Sequence, residues 1–130
     1  MSFDLFLHFF SEGKPQLVAT QLVKRAFGSA FVENDRGFDL KYDAENFSNV
    51  YGDFELELID SFMISRPSMH PEFWSSVLEV LCQEGATLVA PGVGYLVTAN
   101  PSSEKHVPRD VGMPIQCVKT GNEIVELIRN

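Results

Sequence analysis

Cysteine is scarce in this chain: Cys82 and Cys117 are the only two among 130 residues. Two thiols without framework spacing cannot staple a small domain, and they point to a reduced, intracellular protein. Spacing says nothing of their distance, so a disulfide between them stays open, with buried thiols as the expectation. Histidine is nearly as sparse. His8, His70 and His106 show no metal-ligand spacing, alone or with the cysteines, so neither a metal site nor any other cofactor is expected. No run approaches the roughly 18 apolar residues of a membrane span. The apolar opening Phe3–Phe10 is short, broken by Asp4 and His8, and not preceded by a basic residue. It reads neither as an anchor nor as a signal peptide, and a cytoplasmic location is expected. There is no internal repeat and no low-complexity segment.

Positive charge is also in short supply. Ten basic residues stand against 18 acidic ones, a net charge of −8. Without a cationic patch the chain is a poor ligand for nucleic acid or for anionic membranes, and an attractive one for a basic protein. Catalytic signatures are missing as well. Gly92-Val93-Gly94 leads into another strand rather than a helix, so Pro91–Gly94 reads as a hairpin turn and not as a phosphate cradle. Ser61, Ser65, Ser75 and Ser76 lie in no G-x-S-x-G turn.

What the chain has in excess is acid in one place. Between Glu33 and Asp60 nine acidic residues face only Arg36 and Lys41, so this segment carries −7 of the −8. A one-sign field of this kind repels itself and attracts cations. The expected binding residues are Asp53, Glu55 and Glu57, on one face of a strand through Phe54, Leu56 and Leu58, joined by Asp35, Asp43 and Glu45. Tyr51 is expected as an exposed aromatic anchor.

Periodicity supplies the frame. Phe3–Phe10 alternates as a strand and carries Phe on both faces, so it should be central and covered on both sides. Pro15 should open a helix with Val18, Ala19, Leu22, Val23, Ala26, Phe27 and Ala30 inward and Gly28 as its end or fraying point. Phe38–Tyr42 and the 53–58 strand should form a hairpin around a polar 43–52 loop, with Ser61–Arg66 continuing that strand or starting another. The helix from Pro71 buries Phe73, Trp74, Val77, Leu78, Val80 and Leu81, with His70 as cap and Gly85 as stop. Strands follow at Thr87–Ala90, Tyr95–Ala99 and Ile115–Lys119, the first two separated from the last by a helical turn through His106. A capping box, Thr120 with Glu123, opens a short C-terminal helix. Residues 1–130 should thus form a single α+β domain: a mainly antiparallel sheet with two main helices on one face and a short third one, compatible with a ferredoxin-like split βαβ core.

Met1-Ser2-Phe3-Asp4-Leu5-Phe6-Leu7, Phe62-Met63-Ile64-Ser65-Arg66-Pro67 followed by Phe73-Trp74, and Pro91-Gly92 carry a resemblance. It is to small bacterial proteins of similar length, some of them similar to immunity proteins of bacterial toxin systems. The resemblance implies a binding role and brings no site residues with it. Together with the acidic segment, it points to a non-catalytic module that occludes a basic partner, such as a toxin or nuclease domain. The alternative is a small enzyme or ligand-binding domain with a site between sheet and helices, its polar groups drawn from Asp4, His8 and His70. A third reading is a structural subunit that pairs edge to edge.

Overall fold

In the computed structural model, which describes residues 3–129, the alternating opening becomes β1 (Asp4–Ser11) at the centre of the sheet. Met1 and Ser2 of the opening motif, and Asn130 at the expected end of the last helix, lie outside the described residues. β2 (Lys14–Pro15) folds back on β1 through Glu12 and Gly13, both at positive φ (51° and 81°). That two-residue turn follows the twist of the strands, and it takes Pro15 away from the helix expected there. β3 (Val18–Ala19) comes next, and helix α1 (Thr20–Phe27) begins five residues later than Pro15 suggests.

The meander β4 (Phe31–Asn34), β5 (Gly37–Lys41) and β6 (Phe47–Tyr51) follows. β5 pairs with β4 and β6, so its expected hairpin with residues 53–58 does not form, and Lys41 stands opposite Phe47. Residues 53–57 are a turn, not a strand; only β7 (Leu58–Ile59) is extended, and it pairs with β3. β8 (Ser61–Ser65) returns to the sheet centre.

Helix α2 (Pro71–Leu81) starts as its sequence dictates, but its C-cap is Cys82, so Gly85 is not the residue that stops it. Pro71 occupies the first turn, and the His70 Nδ1 accepts the Glu72 N–H at 3.2 Å. β9 (Ala86–Val89), β10 (Leu96–Thr98) and β11 (Ile115–Cys117) complete the sheet. A 3-10 turn, Pro101–His106, lies between β10 and β11. Helix α3 (Gly121–Arg129) starts with the Glu123 N–H on the Thr120 hydroxyl at 3.2 Å.

The sheet order is β11-β10-β9-β1-β8-β6-β5-β4, with β2 attached to β1, and among the described residues only the β10–β11 pair is parallel. Its inner four strands, β9-β1-β8-β6, have the split βαβ arrangement: α1 lies in the connection from β1 to β6 across β8, and α2 links β8 to β9 across β1. The domain is α+β, with α2 packed between α1 and α3. Leu5, Leu7 and Phe9 of β1 join Phe62, Ile64, Leu88 and the α2 stripe in one core. At about 25 cal/mol per Å² of apolar surface, each such side chain contributes about 1.5–3 kcal/mol.

Two expectations about burial fail. Cys82, at the end of α2, and Cys117, on the outermost strand, are both free and exposed. The second face of β1 is only half covered: Asp4, Phe6, His8 and Phe10 are all partly open. Three α-helices pack on one face of the nine-stranded sheet, and the described residues hold no further α-helix to cover the other. No helix among the described residues is long and apolar enough to cross a membrane.

Candidate functional site: an apolar groove on the open face of the sheet

Register decides what the open face presents. Directly opposed residues of paired strands share a face. Val89, Phe6, Met63 and Tyr51 therefore make one apolar row across β9, β1, β8 and β6. Asp4, Ser65, Asn49 and Asp39 make a parallel polar row across β1, β8, β6 and β5. His8 stands between Ser61 and Thr87, its ring stacked on Phe10 at 5.6 Å.

Beside the apolar row rises a wall made by the segment misread as a strand. Phe54 is its root, buried to 1% exposure and edge-on to Phe31, Phe38 and Phe62. With Phe54 turned inward, the next two leucines turn outward. The wall is fixed by main-chain bonds: Thr20 N–H to the Glu57 carbonyl at 2.9 Å, and Phe9 N–H to the Asp60 carbonyl at 2.9 Å. The Thr20 hydroxyl also donates to the Leu56 carbonyl at 2.9 Å.

Floor and wall enclose a groove of about 390 Å³. Leu17, Tyr51, Leu56 and Leu58 line it at 55%, 54%, 56% and 50% exposure. They are half of the eight exposed large apolar residues in the described chain. Asp53 and Asp60 line it too, and no lysine or arginine among the described residues does. An exposed apolar patch with a polar rim marks an interaction site more often than chance does.

The expected binding residues are distributed over three places. Asp53, Glu55 and Glu57 are all exposed in the wall segment, with Asp53 in the groove and Tyr51 beside it. Asp35, in the β4–β5 turn, shares a neighbouring cleft with Arg36, Asp39, Tyr51 and Arg66. Asp43 and Glu45 lie in the β5–β6 connection, where Glu45 borders a third cleft with Phe47 and Arg66. They do not share one strand face, because residues 53–57 are not a strand. They are nonetheless contiguous, since Tyr51 borders the groove and the first cleft, and Arg66 borders both clefts.

Part of this acid is engaged locally. The Asn46 side-chain amide, then the Glu45 and Asn46 N–H groups, hold the Asp43 carboxyl below its ordinary value. Asp39 accepts from Asn34 and Asn49. Arg66 leans over Phe47 at 5.5 Å and donates to Asn49. Among the described residues, none of the nine carboxylates from Glu33 to Asp60 forms an ion pair with lysine or arginine. Residues Phe6, Met63, Leu56 and Leu58 escaped sequence reasoning. The available signal was Phe on both faces of the first strand, which here means an uncovered apolar face.

Asp4, His8 and His70 are not brought together. His8 lines the groove and Asp4 faces Ser65, while His70 caps α2 and stacks on Tyr42 at 5.1 Å. No group of three or more His, Cys, Asp or Glu among the described residues is placed to hold a metal ion.

Burial lowers the His8 pKa from 6.5, with the Asp60 charge opposing. A lowered histidine pKa means that the unfolded chain takes up the proton first. The contribution of neutral His8 is therefore complete above about pH 6.5 and is lost as pH falls through that value toward the folded pKa. Denaturant titrations should show stability falling from about pH 7.5 to about pH 5.5, and falling less in His8→Asn. Identical slopes in the two proteins would remove this role.

The chain matches no family model, no curated protein and no solved structure.

Proposed function

We propose that this chain is a non-catalytic protein-binding module of the immunity type. It docks on a basic domain, such as a toxin or nuclease domain, and occludes it. It works in the cytoplasm, where such a partner would otherwise act. The observation that carries the reading is the groove: among the described residues, half of the exposed large apolar side chains converge beside carboxylates that form no ion pair with lysine or arginine. Apolar anchors supply the desolvated centre of an interface, and the acidic surroundings supply steering. The resemblance to small bacterial proteins similar to immunity proteins supports the same role.

Co-expression with the product of the adjacent gene is the direct test. A complex is expected that survives purification at low salt and weakens about tenfold or more on raising ionic strength to about 0.5 M. Glu55→Lys combined with Glu57→Lys should slow association strongly while leaving the fold intact, because both side chains are exposed. Failure to form a complex with that product would overturn the immunity role. A complex indifferent to both salt and charge reversal would overturn the electrostatic basis.

A further inference from the structure

The groove floor has a property that restricts what can lie in it. Phe6 and Met63 come from β1 and β8, each hydrogen-bonded to a strand on both sides. The floor therefore offers no open ladder for strand addition. A segment lying there must satisfy its own backbone N–H and C=O groups, and a helix does so within itself. The surface it meets is lined by apolar Leu17, Tyr51, Leu56 and Leu58 and by anionic Asp53 and Asp60. A second copy of this chain fits poorly, because each copy carries a net charge of −8.

We infer that the groove receives an amphipathic, cationic α-helix of the partner, with apolar side chains against Phe6, Met63 and Leu56 and a lysine or arginine opposite Asp53 or Asp60. This inference rests on the docking reading above and adds the form of the docked element. The wall is already pinned by Thr20 and Phe9, so the groove needs little rearrangement to accept it. Only one face of the helix enters, so its anchors recur at i, i+3 or i+4, and i+7.

The test is selection from a displayed library of random peptides of about 16 residues, long enough for a marginal helix. The bait is the full chain, and the counter-bait carries Leu56→Asp and Leu58→Asp. Both leucines are exposed, so the counter-bait should keep its denaturation midpoint. Enriched peptides should be net positive, with apolar residues at helical spacing. Synthetic copies should gain helical circular dichroism on binding and lose about tenfold or more in affinity for the double variant. Absence of enrichment, enrichment of neutral or acidic peptides, or binding without a gain of helix would overturn the helix inference and leave a docking surface standing. Peptides that bind the double variant equally well would sink the docking reading too. Dimerisation of the chain that Leu56→Asp abolishes would replace the helix by a second copy.

Discussion

Gly85→Ala should cost about 4 kcal/mol, a large share of the 5–15 kcal/mol that holds a domain of this size together. Gly85 has φ +92°, a conformation that side chains rarely adopt, and an added Cβ would lie 2.1 Å from the Phe10 carbonyl oxygen. That oxygen cannot retreat. Phe10 belongs to the central strand, is paired with Pro15, and donates its N–H to the Gly85 carbonyl at 3.0 Å. The Gly85 N–H is itself held by the buried Ser103 hydroxyl at 2.9 Å. Gly92→Ala is the control. Its φ is +85°, but nothing lies within 4 Å of the added carbon, so it should cost only the backbone strain, about 1–2 kcal/mol. Chemical denaturation should show a much lower midpoint for the first variant and a small shift for the second, at similar slope. Equal costs would mean that conformation alone, and not the contact with β1, makes glycine necessary at position 85.

Phe54→Ala should cost about 3–5 kcal/mol, and its effect should reach the groove. The ring is almost fully buried and meets Phe31, Phe38 and Phe62 at centroid distances of 5.1, 5.8 and 5.4 Å. Gly52 is shaped to it, since a Cβ there would come within 2.9 Å of the Phe54 ring. Removing the ring leaves a cavity at the root of the wall and releases Leu56 and Leu58 from their outward pose. Leu56→Asp should instead leave stability within about 0.5 kcal/mol, because that side chain is already half in water. The pair separates anchoring from recognition: one variant should lose stability together with the proposed binding, the other the proposed binding alone. A Phe54→Ala protein as stable as the parent would show that the wall is not held from below.

The parts of the fold legible in the sequence are those where one signal dominates. Pro71, the Phe73–Leu81 stripe and the cap at His70 agree on α2, and the Thr120–Glu123 box agrees on α3. β6 is hidden because Asn46, Asn49 and Gly52 read as turn formers. In the sheet the polar side chains of β6 are absorbed: Ser48 donates to the Arg66 carbonyl at 2.7 Å, and Asn49 donates to Asp39 at 2.9 Å. The 53–58 alternation misled in the opposite direction. Phe54 is buried as alternation predicts, but the chain turns at Asp53–Leu56, where the Leu56 N–H bonds the Asp53 carbonyl at 3.0 Å, and the following leucines face outward. Local pattern cannot reveal that, because Thr20, more than thirty residues earlier, fixes the direction of the segment. The acidic segment drew attention to the stretch that supplies the wall, while the groove beside it depends on strand register, which no single stretch encodes.

The two thiols have a practical consequence. Cys82 ends a helix and Cys117 lies on the outermost strand, both open to solvent, and neither lines the groove. Either can carry a fluorescent dye or a spin label without touching the docking residues, while its counterpart is changed to serine. The native chain thus comes with attachment points for testing whether the proposed partner binds, and it should be kept under reductant so that neighbouring molecules do not become cross-linked through them.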